Sequence, residues 1–209
     1  MRKENCIFCD DKRINEGLLN ETENFYLRAN MKGATAPGHC MVISKSHFSC
    51  FGEMPSYLDE EYLDFVGSVE ERVESAFSKP ILIEQGLHAQ SINHAHLHFL
   101  PSSSEWYDFT RGKHFVDFIP PEILITPGED IKDVRRVFEK EGQYVTIEEQ
   151  GKLYICHTFN YNDLFRPGRE FPAKLTGLTH LLYWQTMPDV EKEKNRIWID
   201  ETIQRLRRK

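Results

Sequence analysis

The sequence lacks the features that mark several classes of protein. No stretch approaches the roughly 20 consecutive apolar residues that span a bilayer, and the N-terminus MRKENCIFCD has no apolar segment typical of a secretory signal. The formal net charge of −7 argues against the broad basic surface that a long nucleic acid requires. We therefore expect a cytoplasmic location, no membrane and no long nucleic acid as partners, and we keep open a small anionic ligand held by local donors.

The chain also lacks internal repeats, low-complexity linkers and an obvious disulfide framework. Its 209 residues, 40% hydrophobic and 28% charged, suit one globular domain or one domain with a large appendage. Its five cysteines are better explained as thiols or metal ligands than as disulfides, because no secretory signal accompanies them. Only Cys6 and Cys9 have the CxxC spacing of a metal site, which alone is a weak signal.

Hydrophobic periodicity predicts an α+β fold built on a mainly antiparallel sheet. Two strands, 25–30 and 39–44, should form a hairpin around a turn that contains glycine and proline. Apolar residues at spacings of three and four predict an amphipathic helix over 56–78, with Ser56 as its N-cap and Asp59 as the capping-box partner. Further strands are expected over 80–86, 90–100 and 122–126, helices over 130–140 and 190–207, and a hairpin that turns at Gln150–Gly151.

Three histidines alternate within the predicted strand SINHAHLHFL. His94, His96 and His98 should share one face of the sheet, because successive side chains of a strand point to opposite sides. Solubility alone explains such a row poorly, which leaves a metal site or a nucleophilic site, since neutral imidazole serves in both. A histidine nucleophile suits transfer to phosphorus, and Gln90 and Ser91 could supply donors for phosphate oxygens.

The stretch QSINHAHLHFL resembles the signature of the histidine triad (HIT) superfamily, in which histidines alternate with hydrophobic residues after a Gln-Ser or Gln-Thr pair. CIFC, LRANMKGATAPGHCMVISKSH and the intervening helix follow in the order that the family shows, so the resemblance covers roughly residues 4–101. It implies a HIT-like fold, with a HIT domain over 1–105 and a C-terminal extension over 106–209 that packs on it. His39, in the family's Pro-Gly-His segment, is interpreted as structural.

The resemblance also implies a role for each residue of the candidate site. His96 would be the nucleophile that attacks the α-phosphorus of a nucleotide, and water would then release the nucleoside monophosphate from the nucleotidyl-histidine. His98 and Gln90 would contact phosphate oxygens, and Ser91 would hydrogen-bond near the leaving group. Asn30 falls where family members hold the ribose hydroxyls.

A zinc site is a further implication of the resemblance. In several branches of the superfamily, the positions of Cys6, Cys9, His47 and His94 bind zinc. Two thiolates and two imidazoles make a tetrahedral set of the kind that zinc prefers in closed structural sites. His94, which also completes the catalytic triad, would then be held still beside the nucleophile.

The second half of the chain resembles the family less. In FRPGRE, Arg166 and Arg169 flank a Pro-Gly turn and could engage a distal phosphate or a second nucleoside, because guanidinium groups match phosphate bidentately. A solvated turn explains the same residues equally well.

Three functions remain compatible with the sequence. The leading expectation is a hydrolase that releases a nucleoside monophosphate, purine favoured, from a dinucleoside polyphosphate or a nucleoside phosphoramidate. A nucleotidyltransferase or phosphorylase would use the same histidine with another acceptor, although HAHLH departs from the His-Pro-His-Gly-Gln motif of transferase relatives. A binding module for nucleotides or RNA ends is the third. Small HIT proteins commonly dimerise through the helix and an edge strand, so a homodimer is expected unless the C-terminal half covers that surface.

Overall fold

The computed structural model describes residues 3–87, 89–102, 114–158 and 187–207. Its strands form one sheet in the order β1-β2-β3-β5-β4-β7-β8-β6, and all neighbours pair antiparallel, which confirms the predicted α+β class. The strands are β1 (Leu18–Glu21), β2 (Phe25–Ala29), β3 (Cys40–Ser44), β4 (Pro80–Glu84), β5 (His96–Pro101), β6 (Leu124–Gly128), β7 (Val145–Glu149) and β8 (Lys152–His157). The helices are α1 (Asp11–Asn15), α2 (Asp59–Ala76), α3 (Ile131–Glu141) and α4 (Asp189–Arg207).

The two faces of the sheet have different partners. Val42 pairs with Leu97 in a row that belongs to the main core, which includes the buried side of α2. The adjacent row aligns Arg28, Met41 and His98 on β2, β3 and β5, and these side chains therefore lie on the opposite face. This second face carries the candidate site.

The strand that carries the triad is shorter than predicted. It begins at His96 instead of at residue 90, because the four residues Ser91 to His94 form bends. The apolar residues that alternate with the histidines, Ala95, Leu97 and Phe99, all lie in the main core.

Helix α2 forms as its periodicity predicts, but it begins differently. The predicted N-cap at Ser56 is wrong: a 3-10 turn, Ser56–Leu58, precedes the helix, and Leu58 occupies the cap position without a side-chain hydrogen bond. Asp59 is engaged elsewhere, because its carboxylate accepts hydrogen bonds from Arg135 of α3 at 2.5 and 3.2 Å. The face of α2 that packs on the sheet consists of Tyr62, Phe65, Val69 and Val73.

The C-terminal half continues the same sheet, because β7 pairs with β4. The hairpin β7–β8 turns where the sequence predicts, with φ of 55° at Gln150 and 74° at Gly151, the two positive values of a type I′ turn. Strand β6 occupies Leu124–Gly128 and not 122–126. This strand contains Pro127, which has no backbone N–H to donate. An edge strand can accommodate a proline, because no neighbouring strand pairs with its outer side.

Helix α4 is tied to the loop that joins β2 to β3. The buried Thr202 hydroxyl accepts a hydrogen bond from the Gly38 N–H at 2.7 Å, and the Asn195 side-chain amide donates to the Ala34 carbonyl at 2.6 Å. The same helix packs on α2 and β1, which are parts of the surface expected to form a homodimer. Both the homodimer and the domain division at residue 105 stay predictions. Within the described ranges, no helix is long and apolar enough to cross a membrane.

Candidate active site and metal centre

A cavity of about 730 Å³ opens on the sheet face that carries the triad. This volume lies within the range of roughly 300–1,000 Å³ that small-molecule sites occupy. Four residues predicted from the sequence line it: Asn30, Ser91, His96 and His98. Charged side chains also line it, namely Asp10, Lys12, Arg13, Glu16, Arg28 and Lys32.

His96 is a buried, neutral imidazole whose protonated nitrogen is fixed by the backbone. Its Nδ1 lies 2.6 Å from the His94 carbonyl oxygen, which can only accept, so Nδ1 carries the proton and Nε2 the lone pair. Burial lowers the pKa of His96 to about 4, which keeps the ring neutral at pH 7. The ring packs edge-on against Phe8 at a centroid distance of 5.2 Å. Such a ring can act as a nucleophile or accept a proton through Nε2.

A second backbone group orients His98 through His39. The Thr35 N–H donates to Nδ1 of His39 at 3.2 Å, so a neutral His39 carries its proton on Nε2. That Nε2 lies 3.0 Å from Nδ1 of His98 and donates to it, which leaves the His98 proton on its own Nε2. His98 can therefore donate a hydrogen bond to an anionic ligand. The Asn30 amide nitrogen lies beside this pair, 3.2 Å from Nε2 of His39.

Four side chains from three segments of the chain form a candidate metal centre. The donor atoms of Cys6, Cys9, His47 and His94 all lie within 4.8 Å of one another. Sγ of Cys6 is 3.3 Å from Nδ1 of His94, Sγ of Cys9 is 3.6 Å from Nδ1 of both histidines, and the two Nδ1 atoms are 3.1 Å apart. The N-terminal CxxC and the first triad histidine thus meet as the sequence predicts, and the group could hold a metal ion.

The His94 ring is oriented as a ligand requires. Its Nε2 lies 2.7 Å from the Ser44 carbonyl oxygen, so Nε2 carries the proton and Nδ1 presents its lone pair to the cysteines. Burial lowers the pKa of His94 to about 4, so the ring is neutral and able to bind a metal. Because the carbonyl of this residue also holds Nδ1 of His96, the metal centre and the candidate nucleophile share one residue.

The remaining predicted residues divide into two groups. Gln90 is buried and donates to the Ser49 carbonyl at 2.5 Å, and it is not among the described residues that line the cavity. Arg166 and Arg169 lie outside the described residues, so their roles stay predictions.

Sequence reasoning predicted only four of the residues in the cavity wall, and two of those that it missed, His39 and Arg28, contact His98 or align with it. His39, interpreted as structural, lines the cavity and contacts His98. Arg28 also lines it, and the only signal in the sequence is its position two residues before Asn30 in LRAN, which puts both on one face of β2. Neither residue can be assigned to the site until the pairing of β2, β3 and β5 is known.

Comparisons with known proteins identify one matching family model and several similar structures. The HIT domain family model matches residues 11–105. A hypothetical histidine triad nucleotide-binding protein from Sulfolobus tokodaii is 25% identical, with 47% of this chain and 70% of that chain covered and a TM-score of 0.42. A HIT family protein from Bacillus subtilis is 24% identical, with 66% and 96% covered and a TM-score of 0.44. The yeast Ap4A phosphorylase Apa2, solved in complex with Ap4A, is 12% identical, with 94% and 78% covered and a TM-score of 0.41. No curated protein matches the chain.

The antiparallel sheet places His96 and His98 of β5 beside the cavity, within the region that the HIT domain family model matches. Residues 11–105 match the HIT domain family model, so this region of the chain is a HIT domain. The superfamily comprises nucleotide-binding and nucleotide-processing proteins.

Proposed function

We propose that this protein is a nucleotide hydrolase that releases a nucleoside monophosphate from a dinucleoside polyphosphate or a nucleoside phosphoramidate. The observation that carries the proposal is the 2.6 Å hydrogen bond from Nδ1 of His96 to the His94 carbonyl, in the wall of a nucleotide-sized cavity. This bond makes Nε2 the nucleophilic nitrogen of a neutral ring. Nucleotide processing by the HIT superfamily supports the same assignment.

The reaction proceeds in two displacements at the α-phosphorus. In the first, the Nε2 lone pair of His96 bonds to phosphorus while the P–O or P–N bond to the leaving group breaks, and the leaving group takes a proton with help from the Ser91 hydroxyl. In the second, water bonds to phosphorus, the P–N bond to His96 breaks, and the proton from water passes to solvent. We assign His98 to the phosphate oxygens, through its Nε2–H, and Asn30 to the ribose hydroxyls.

Gln90, Arg166 and Arg169 are proposed as further substrate-binding residues. We retain Gln90 as a candidate for contact with the phosphate oxygens, on the resemblance alone, because its amide donates to the Ser49 carbonyl in this structure. We retain Arg166 and Arg169 as candidates for the leaving-group side of the substrate, on the chemistry of their guanidinium groups alone. The cytoplasmic location of this reaction stays a prediction.

The turnover test compares His96→Ala with the wild type and with a matched control, His114→Ala. Each protein is incubated with a diadenosine polyphosphate and with an adenosine phosphoramidate, and released AMP is followed by chromatography. We expect His96→Ala to lose turnover by more than about a thousandfold while AMP affinity stays within about tenfold. His114 is half-exposed and is not among the described residues that line the cavity, so its variant should keep wild-type rates. Wild-type rates in His96→Ala would refute the nucleophile.

Two other results would redirect the assignment of function. Turnover that appears only when phosphate or a sugar phosphate is added would identify a transferase or phosphorylase. Binding without turnover under all conditions would identify a nucleotide-binding module.

We propose that the ion at the Cys6, Cys9, His47 and His94 cluster is zinc, in a structural role. Metal–ligand distances of about 2.0–2.3 Å in a tetrahedral site require donor atoms about 3.3–3.8 Å apart. Four of the six donor separations are 3.1–3.6 Å and all lie within 4.8 Å, so the donors are close to the spacing that such a site requires. The ion would tie the N-terminal segment to the strand of the triad and hold the His94 carbonyl that orients His96.

Metal analysis and unfolding test the zinc proposal. Purified protein should contain about one zinc per chain, and a chelator should lower the Tm by at least about 5 °C, because metal binding contributes to folding. The same chelator saturated with zinc beforehand is the control and should leave the Tm unchanged. Protein that contains no zinc and keeps its Tm in the chelator would contradict the proposal.

A further inference from the structure

A buried arginine faces the cavity two strands away from the triad. Arg28 lies on β2, is 8% exposed, and stands in one cross-strand row with Met41 and His98. At about 4.8 Å between strands, its Cα is about 10 Å from that of His98. A nucleoside monophosphate is long enough to place its phosphate at the triad and its base near Arg28. Arg28 therefore lies where the base, and not the α-phosphate, would reach the wall.

Hydrogen bonds hold the guanidinium of Arg28 in a fixed orientation and leave the donors of one edge without a partner among the described residues. Its Nε and Nη2 both donate to the Arg13 carbonyl, at 3.2 and 2.8 Å. Among the described residues, no acceptor lies within hydrogen-bond distance of Nη1, so the edge formed by Nη1 and Nη2 keeps unused donors. A buried cation without further partners is costly, which makes a ligand with paired acceptors favourable here.

The surroundings of this edge suit a flat base. The cavity wall contains the apolar residues Ile7, Phe8, Met31, Met41 and Ile92. Glu16 lines the same cavity, and its carboxylate raises the pKa of Arg28 against the lowering effect of burial. The Arg28 guanidinium and the Glu16 carboxylate, which interact electrostatically, together match a neutral ring that has both acceptors and donors on its edges.

We propose that Arg28 and Glu16 select guanine as the base of the nucleotide substrate, an inference that rests on the proposed function. The Nη1–Nη2 edge of Arg28 donates to O6 and N7 of guanine, the bidentate pattern that arginine and guanine form wherever they meet in plane. The Glu16 carboxylate accepts from N1–H and the N2 amino group. Adenine presents an amino group to Arg28 where guanine presents O6, and an unprotonated N1 to Glu16, so it is disfavoured at both contacts.

Base selectivity tests the proposal in turnover and in binding. Guanosine and adenosine phosphoramidates are compared by kcat/KM, and GMP and AMP by calorimetry, for the wild type, Arg28→Met and Arg28→Lys. We expect the wild type to prefer guanine by about five- to a hundredfold in both measurements. Both variants should lose that preference, mainly through a higher KM for the guanosine substrate and with little change in kcat. Arg28→Lys should also lose the preference, because the lysine ammonium keeps the charge but lacks the two coplanar donors that bind O6 and N7 of guanine.

A control variant of another arginine, together with separate measurements of binding and turnover, distinguishes failure of base selection from failure of the proposed hydrolysis. Arg136→Met, on the exposed face of α3, should retain wild-type selectivity. A wild type without preference for guanine, or a preference that survives in both Arg28 variants, would overturn the proposal. Selective binding of GMP without turnover of either substrate would support Arg28 as the base-selecting residue and refute hydrolysis. Turnover of both substrates at equal efficiency would refute base selection and leave hydrolysis standing.

Discussion

At the residue scale, backbone groups set the protonation of the candidate site. The Ser44 carbonyl holds Nε2–H of His94, the His94 carbonyl holds Nδ1–H of His96, and the Thr35 N–H reaches His98 through His39. A carbonyl oxygen can only accept, so these contacts fix the tautomers of His94 and His96, while burial lowers the pKa of both rings to about 4 and keeps them uncharged at pH 7. The lone pair of each ring is thus directed by strand geometry.

A different residue, Glu84 at the end of β4, should control how stability depends on pH. Its carboxyl is buried, accepts hydrogen bonds from the Phe51 N–H and the Tyr144 hydroxyl, both at 2.7 Å, and faces the Tyr62 and Cys50 side chains. Burial raises the pKa of Glu84 to about 7. Since the folded protein then holds this proton more tightly than the unfolded chain, stability should fall as pH rises between about 4.5 and 7.

Glu84→Gln tests this dependence because glutamine mimics the protonated acid. Between pH 5 and pH 8 the wild type should lose stability that Glu84→Gln keeps. The free energy of unfolding of the variant, relative to that of the wild type, should therefore rise by up to about 3 kcal/mol over this range. Urea unfolding at a series of pH values measures it. Glu139→Gln, on an exposed position of α3, is the control and should show no such trend. A difference that stays constant with pH would contradict the assignment.

At the element scale, α4 supports the loop that leads into the site. Gly38 precedes His39 and adopts a φ of 87°, and an added Cβ would lie 2.7 Å from atoms of Phe77 and Pro101. Its N–H needs a partner inside this tight turn, and Thr202 of α4 provides it. The C-terminal helix thereby reaches the residue that orients His98.

Thr202→Val tests the contact with a side chain of nearly equal volume. Loss of the hydroxyl leaves the Gly38 N–H buried without an acceptor, so the free energy of unfolding should fall by about 1–3 kcal/mol. Thr202→Ser, which keeps the hydroxyl, should retain more stability than the valine variant. Urea unfolding compares the two proteins. Equal stability of the valine variant and the wild type would show that the hydrogen bond contributes nothing.

Local sequence signals predicted most elements, and tertiary contacts decided the rest. Periodicity identified α2, and the turn at Gln150–Gly151 identified the β7–β8 hairpin, because both signals are contained within one element. The first turn of α2 was mispredicted because Asp59 pairs with Arg135, a contact across 76 positions. The short elements α1 and β1, of five and four residues, carry too few residues to show a period.

The candidate site was predictable where a motif carried it and not where the fold assembled it. The triad and the CxxC could be read directly, and the structure brings Cys6, Cys9, His47 and His94 together. Arg28 became visible only through the register of β2, β3 and β5. Interstrand pairing depends on the whole core, so a single local stretch cannot indicate it.

At the scale of the whole molecule, one sheet joins the HIT domain to the C-terminal half. The pairing of β4 with β7 and the bond between Glu84 and Tyr144 link the two regions in the core. We therefore expect one cooperative unfolding transition. All three tryptophans follow residue 105, so tryptophan fluorescence reports the C-terminal half, while far-UV circular dichroism reports the whole chain. Coincident urea midpoints are expected, and two separate midpoints would show that the halves unfold independently.

The central claim is that His96 forms a covalent bond to the α-phosphorus, and the trapped intermediate tests it most directly. Protein mixed with a nucleoside phosphoramidate and quenched within one turnover is analysed by intact mass and peptide mapping, avoiding acid because phosphoramidates hydrolyse in it. The account predicts a mass increase of one nucleotidyl group on the peptide that contains His96, absent from His96→Ala. Turnover without any adduct, or an adduct that persists in His96→Ala, would contradict it.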